Sequence, residues 1–355
     1  MSGGGGFPVG VVGVGSMGEN HARVYAELPA VDLVGVADAD EERAAAVADE
    51  YDSEVRSTAD LLSTVDAVSV AVPTSLHAGV VRTCLDHGTA ALVEKPFVAD
   101  PEVGRELAAA ADEAGVTLQV GHIERFNPAV TTLFDLLGDV TPVAISAERL
   151  GPPLGRDVGD DVVMDLMIHD IDVLLALLGE RPGSISATGR GDGQYATAQF
   201  TFPGGTVGRL TASRLTQRKI RRLRVTTEDR LVQVDYLDQS VRIHRRSRPA
   251  FEQSDGSLRY QTERLTERPI VDSGEPLRRE LSAFVEAAQT GRPPEVTATD
   301  GVRAVETAAA VQEAAIRAPP FADEAHEGDP NDAGDADRAS DADAIDLRDR
   351  RGEGS

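Results

Sequence analysis

Lysine is nearly missing from this chain: of 355 residues only Lys95 and Lys219 carry an ε-ammonium group. Arginine supplies the remaining positive charge, so a lysine at a functional position suggests work a guanidinium cannot do, such as losing a proton. Cysteine is scarcer still. Cys84 stands alone on an apparent helix with no His or Cys partner at metal spacing, which excludes disulfide frameworks and zinc clusters and leaves a small buried hydrophobe. No metal is expected. Basic residues as a class are outnumbered, 35 against 60 acidic, for a net charge of −25. An acidic surface repels nucleic acid and anionic lipid, so neither is an expected partner, and so little lysine on so acidic a chain points to adaptation to concentrated salt. Long apolar runs are lacking too. No stretch reaches membrane-spanning length, and Met1-Ser2 followed by four glycines offers neither a basic region nor an apolar signal core, so a cytoplasmic protein is expected.

What the chain does have is a glycine turn in a telling setting. The apolar run 9–12 passes into Gly13-x-Gly15-x-x-Gly18, with Ser16 and Met17 inside it, and then into a helical pattern with Val24, Tyr25 and Leu28 on one face. In that strand, turn and helix context the first glycine allows a tight turn, the second lets backbone N–H groups approach a pyrophosphate, and the third lets helix and strand pack closely. The phosphates would lie on the positive end of the helix. The next strand, 31–37, ends at Asp38, about the ~20-residue separation at which an acid meets the ribose hydroxyls. With Asp38 there, NAD is favoured over NADP, whose 2′-phosphate would meet like charge.

From residue 9 to 121 strands and helices alternate, which predicts a doubly wound parallel sheet, a Rossmann domain over residues 1–122. Asp38 is expected to cap a helix at 41–51 whose first turn carries Glu41 and Glu42. Further strands are expected at 54–56, 67–72, 90–93 and 116–121, with helices at 59–63, at 75–87 and after Asp100-Pro101. Ligands bind at the carboxyl edge of such sheets, where Pro73-Thr74-Ser75-Leu76-His77 and Glu94-Lys95-Pro96 stand. Residues 123–319 read as an α+β domain with helices at 129–137, 162–178, 276–290 and 300–317. It has a strand at 143–149, and the successive strands at 185–188, 195–202, 206–213, 222–227, 231–236 and 241–244 are expected as an antiparallel meander. Over 320–355, twelve acids against four arginines, with little to bury, predict an acidic disordered tail.

Lys95, at the sheet edge where a nicotinamide would lie, is a catalytic candidate; the alternative is a structural pair with Glu94. Asp165 and His169 lie at i and i+4 of the expected helix 162–178, so their side chains would meet. A carboxylate on one imidazole nitrogen would fix the tautomer and free the other for proton transfer, unless the two form only a surface ion pair. Arg125, Arg149, Arg156, Arg214 and Arg218 flank the expected cleft, available for bidentate phosphate binding or merely solvated. His21, His77 and His122 stand on the cofactor side, where packing alone explains a histidine.

Taken together, Gly13-x-Gly15-x-x-Gly18 with His21, Pro73-Thr74-x-x-His77, Glu94-Lys95-Pro96 and Asp165-x-x-x-His169-x-x-Asp172 resemble the Gfo/Idh/MocA family of oxidoreductases over residues 7–317. The resemblance implies a Rossmann domain followed by an open-faced, mainly antiparallel sheet that often mediates homodimer or homotetramer contacts. It also implies hydride transfer from a secondary alcohol of a sugar or cyclitol to NAD(P). On this resemblance Lys95, His169 and Asp165 are catalytic, with His169 the general acid/base. Gly13, Gly15, Ser16, Met17, Gly18, Asp38, Pro73, Thr74, His77, Glu94 and Lys95 hold the cofactor, and Lys95, Arg125, Asn127, Asp165 and His169 the substrate. Met167 stands where many members have glycine, and Gly159-Asp160-Asp161-Val162 where many have a glycine-rich run, which argues against direct analogy with inositol or glucose enzymes. Residues 121–128 and 165–172 are most like those of prokaryotic members that oxidise UDP-N-acetylglucosamine at its 3-hydroxyl. The expected function is NAD-dependent oxidation of a nucleotide sugar. A free-sugar or inositol dehydrogenase, an NAD-dependent glycosidase and a non-catalytic sugar sensor are the alternatives.

Overall fold

Short apolar strands alternating with helices build the first half of the chain. The computed structural model describes residues 5–153, 161–190, 192–246, 250–254, 257–261 and 264–317. In order come β1 (Phe7–Val12), α1 (Ser16–Glu27), β2 (Val31–Ala37), α2 (Glu41–Glu50), β3 (Glu54–Val55), α3 (Thr58–Leu62), β4 (Ala67–Val70), α4 (Thr74–His87), β5 (Ala90–Glu94), α5 (Pro101–Ala114) and β6 (Leu118–Gly121). The strands form a parallel six-stranded sheet in the order β3-β2-β1-β4-β5-β6. Every residue of β4 and β5 is buried, as a parallel sheet covered on both faces requires. The order reverses between β1 and β4, where Val12 pairs with Val70, so the glycine turn and the segment after β4 open onto one crevice.

Asp100 caps α5 with Pro101 in its first turn. Asp38, however, does not cap α2. Asp40 does, accepting from Arg43 N, while the Asp38 carboxylate accepts from Val14 N at 2.7 Å and Asp40 N at 2.9 Å and so ties the end of β2 to the glycine turn. Two residues closer to the helix, Asp40 alone reaches the N3 amide.

The second half runs through a 3₁₀ turn (Ile123–Phe126), α6 (Pro128–Leu137), β7 (Ala144–Leu150), a π turn (Val163–Met167), α7 (Ile168–Leu178), β8 (Ser184–Gly189), β9 (Tyr195–Thr201) and β10 (Val207–Ser213). It continues with β11 (Ile220–Thr226), β12 (Arg230–Asp235), β13 (Ser240–Arg246), β14 (Ala250–Ser254), β15 (Ser257–Gln261), β16 (Arg264–Glu267), α8 (Pro276–Thr290) and α9 (Ala298–Arg317). Eight strands form a second sheet in the order β16-β13-β12-β11-β7-β10-β9-β8. The expected unbroken meander is corrected here: β7 inserts between β10 and β11, antiparallel to β11 but parallel to β10. β7 alternates buried and half-buried residues along its length, and pairing on both edges satisfies all of its backbone groups. β14, β15 and β16 went unread in the sequence; the Asp255-Gly256 dipeptide between two short runs was the available hairpin signal.

A continuous apolar core runs from Val70 and Val93 of the first sheet to Ile145 and Phe200 of the second, with Val302 and Val305 of α9 between. The two C-terminal helices, expected to close the second domain, also reach back to the first sheet. Val120 N donates to Val296 O at 3.1 Å beside α9, and α8 packs Leu281 and Phe284 with Val24 and Tyr25 of α1. Burying each such side chain contributes about 1.5–3 kcal/mol relative to exposure, so this seam holds α8 firmly. The tail 320–355 lies outside the described residues. Among the described residues no helix is long and apolar enough to cross a membrane.

Glu280 is the anomaly in the seam. It lies on α8 with no exposed surface, and neither carboxylate oxygen has a hydrogen-bond partner. Burial, and then the like charges of Glu94 and Asp172, push its carboxyl well above the usual 4.5. A carboxyl protonated in the native state that ionises on unfolding makes stability fall as pH rises above the unfolded value. Glu280→Gln is therefore expected to raise Tm more at about pH 8 than at about pH 5. Thermal denaturation of both proteins across that range measures the difference, and a pH-independent gain contradicts a protonated Glu280.

Candidate active site

Gly13 follows β1 with φ +88°, and a Cβ there would stand 2.7 Å from Ala71 C and Val72 N. Only glycine permits that approach of the turn to the end of β4. At Gly18 a Cβ would fall 1.8 Å from Gly13 O. Gly15 is the opposite: nothing lies within 4 Å of its Cβ position, and it begins α1 without a side-chain cap. The first N–H groups of α1 are thus open to a ligand, with Ser16 and Met17 exposed beside them. Asp38, its side chain 10% exposed, closes the far side, while Pro73 and Thr74 begin α4 on the near side. This cradle fits the pyrophosphate and ribose of a dinucleotide.

β5 delivers Glu94 and Lys95 to the same edge, and the peptide between Lys95 and Pro96 is cis. Buried His77, expected on the cofactor, braces this turn instead: Nδ1 lies 3.0 Å from Pro96 O and 3.1 Å from Phe97 O, and Nε2 lies 2.9 Å from Val72 O. Neither ring nitrogen is left for a ligand. Glu94 likewise faces inward, with Oε1 3.0 Å from His21 Nε2, while His21 Nδ1 meets Ser69 Oγ at 2.8 Å. Burial raises the Glu94 carboxyl, but the His21 hydrogen bond and charge, with Lys95, outweigh it and leave the group below its ordinary value.

Glu94 is therefore not the partner of the Lys95 ammonium. Lys95 Nζ donates to Asp165 Oδ1 at 2.9 Å and to the Asp165 main-chain oxygen at 2.7 Å, while Arg214 Nη2 donates to Asp165 Oδ2 at 2.7 Å. Against the cost of burial, Lys95 and then Arg214 hold the Asp165 carboxyl below its ordinary value. The expected contact between Asp165 and His169 is corrected: both carboxylate oxygens serve cations. The cause is local as well. Asp165 lies in the π turn, where Ile168 N bonds Val163 O five residues back, so a residue at i+4 no longer stacks over residue i.

His169 sits in the first turn of α7 with Nδ1 buried and unpartnered, while Nε2 makes no hydrogen bond and is not enclosed. Burial first, then the charges of Lys95, Arg149, His122 and Arg221, push its ring well below the usual 6.5. His122 is buried beyond it with both nitrogens unpartnered.

The residues expected to hold substrate are largely engaged elsewhere. Asn127 caps α6 through Ala129 N and donates to Glu124 Oε2 and Tyr236 O, which consumes its amide. Arg125 donates to Glu295 O, lies 3.7 Å from Asp172 and stacks on Phe134. Arg149 is buried, bidentate to Asp170, bonded to Glu124 and stacked on Tyr236. Removing one partner of so buried a pair costs about 3–5 kcal/mol, so Arg149 is structural cement rather than a solvated cation. Arg218 is exposed on the loop before β11, and Arg156, with Gly159 and Asp160, lies outside the described residues. Arg221, whose charge acts on His169, was not among the arginines expected at the cleft. Arg221 occupies a position in phase with buried Leu223 and Val225 of β11, and that period-2 pattern was the signal. No group of three or more His, Cys, Asp and Glu among the described residues is arranged to hold a metal.

Comparison with known proteins places this geometry. Residues 7–122 match the oxidoreductase family with an NAD-binding Rossmann fold, and residues 136–232 match the Gfo/Idh/MocA C-terminal domain. UDP-N-acetylglucosamine 3-dehydrogenase of Acidithiobacillus ferrooxidans is 40% identical over 242 residues, 67% of this chain and 76% of that protein. Inositol 2-dehydrogenase of Rhizobium meliloti is 34% identical over 190 residues, 50% of this chain and 57% of that protein. A solved structure of the Acidithiobacillus ferrooxidans enzyme superposes with a TM-score of 0.79 at 36% identity, covering 86% of this chain and 96% of that one. Both matched domains, in this order and around this cleft, show that the chain belongs to the Gfo/Idh/MocA family of NAD-binding oxidoreductases.

Proposed function

We propose that this chain is an NAD-dependent dehydrogenase that oxidises the 3-hydroxyl of a nucleotide sugar, UDP-N-acetylglucosamine. The observation that carries the reading is the convergence of Lys95 and His169: Lys95 Nζ bonds the residue one turn before His169, and its charge acts on the imidazole. Similarity to the Acidithiobacillus enzyme supports this substrate ahead of free inositol or a free sugar.

In this reading the accessible His169 Nε2 accepts the proton of the reacting hydroxyl, and its depressed basicity keeps the ring neutral beforehand. The Lys95 ammonium donates to the same oxygen and stabilises the charge that grows on it. Asp165 and Arg214 hold Lys95 in line, and His77 and Glu94 hold the turn that carries it. NAD, held along Gly13–Gly18 and by Asp38, supplies the hydride acceptor when bound. A retained base and cation also favour turnover over a silent sensor, and release of free NADH distinguishes a dehydrogenase from an NAD-dependent glycosidase. The proposal extends to the cell: a cytoplasmic protein adapted to salt, assembled through the outer face of the eight-stranded sheet, where β9 and β10 alternate exposed with buried residues.

With UDP-N-acetylglucosamine and NAD, Lys95→Ala and His169→Ala are each expected to lower kcat about 10²–10⁴-fold while NAD binding by titration persists; unchanged rates refute the assignment. The acidic limb of kcat/KM against pH should fall below the ordinary histidine midpoint of 6.5, since the base works deprotonated and its ring is pushed down. A limb above that value contradicts His169 as the base. For the cofactor, Asp38→Ser is expected to cut the preference for NAD over NADP at least about tenfold in kcat/KM, by removing the charge that opposes a 2′-phosphate.

A further inference from the structure

The pairing of β11 with β7 sets two arginines face to face. Arg221 lies directly across from Arg149, on the same side of the strand as buried Leu223 and Val225, and therefore on the side of the sheet that faces the helices. Like charges directly opposed across strands are destabilising. Arg149 is neutralised by Asp170 and Glu124, whereas Arg221 makes no ion pair. Its Nη1 donates to Leu150 O at 2.8 Å and to Ile220 O at 3.1 Å, and these are its only hydrogen bonds. Nε and Nη2 make no hydrogen bond, so one edge of this half-buried guanidinium has donors to spare.

On a chain of net charge −25, a half-buried arginine left without a carboxylate is a position where the fold has spared a cation. Its surroundings tie it to the catalytic cleft. Arg149, directly opposite, is bidentate to Asp170, the residue that follows His169, and the charges of Asp170, Glu124 and Asp165 reach Arg221 without bonding it. Burial, and then Arg149, push the guanidinium down to about 10, which still leaves it charged at neutral pH. The neighbouring arginines of the cleft differ: Arg149 and Arg214 each carry a bonded carboxylate. Bidentate donation to a phosphate suits the unbonded edge of a guanidinium whose other side is anchored on backbone oxygens. In a nucleotide sugar the diphosphate leaves C1, two ring carbons from C3, so a cation near His169 stands within one sugar ring of that group.

We propose that Arg221 is the anion subsite of the cleft and takes an oxygen of the substrate diphosphate. The assignment rests on the nucleotide-sugar reading and deepens it, moving the phosphate contact from Arg125, Arg149 and Arg214 to a residue that bonds no carboxylate. It makes Arg221 a residue of substrate specificity that touches neither the reacting proton nor the hydride and bears on the proton step only as the last of four charges acting on His169.

The test uses the full-length protein with NADH bound and UDP as the probe in calorimetric titration, followed by kinetics with UDP-N-acetylglucosamine. Arg221→Gln is expected to weaken UDP binding about tenfold or more and raise KM by a similar factor, with kcat within about threefold, while Arg221→Lys falls between. NADH binding, read by fluorescence in every variant, is expected to stay within about twofold, which separates a lost subsite from a damaged fold. If wild type oxidises UDP-N-acetylglucosamine and Arg221→Gln leaves both UDP affinity and KM unchanged, the subsite is overturned and the function stands. If wild type binds no UDP and oxidises an uncharged sugar, both fall. A KM raised only for a sugar carboxylate overturns the diphosphate assignment.

Discussion

A single ion pair, Lys95 with Asp165, spans the cleft between the parallel sheet and the π turn, and the candidate site depends on it. At 2.9 Å and an effective dielectric near 20, its gross Coulomb attraction is about 5–6 kcal/mol, most of which desolvation of two half-buried groups offsets. Its worth lies in geometry. Each end is braced separately: His77 grips the carbonyls of Pro96 and Phe97, and Arg214 takes the other oxygen of Asp165. Below the turn, Glu94, His21, Ser69 and Tyr25 form a buried hydrogen-bonded chain that anchors β5 to α1 and β4. An ammonium held on two sides is pre-organised to meet an oxygen, and an imidazole close behind it is held neutral by burial and by the same charge.

Scarcity of cations shapes the rest. Arginine bridges the elements of the second half: Arg149 locks β7 to α7 and the 3₁₀ turn, and Arg125 sets that turn against Asp172 and Glu295. The guanidinium suits this task because its planar fork meets a carboxylate with two parallel hydrogen bonds and its face stacks on Tyr236 or Phe134. On so acidic a chain nearly every buried cation finds an acid. Against that background, among the described residues, the buried acid Glu280 bonds no cation and the half-buried cation Arg221 bonds no acid.

Much of this was legible in the residues alone. The glycine turn, the alternation of strands and helices to Gly121, and the arrival of Lys95 at a sheet edge follow from local rules: the sign of φ at Gly13, periodicities of 2 and 3.6, a proline after a strand. The helix at 276–290 was readable to the residue, because its apolar face and its terminal proline and glycine are local signals. Less legible were the insertion of β7 into the second sheet, the three strands after Arg246 and the return of α9 to β6, each a choice among partners far along the chain.

By itself, then, the sequence determined the dinucleotide cradle and which residue types reach the cleft, since backbone conformation and strand polarity are set within a few positions. Tertiary structure decided who pairs with whom. Asp165 serves a lysine 70 residues away instead of the histidine four residues on, because a π turn rotates it out of helical register and two cations stand closer. Asn127 and Arg149 became supports and Arg221 bonds backbone oxygens in place of a carboxylate for the same reason: the choice of partner depends on distances that sequence spacing does not carry.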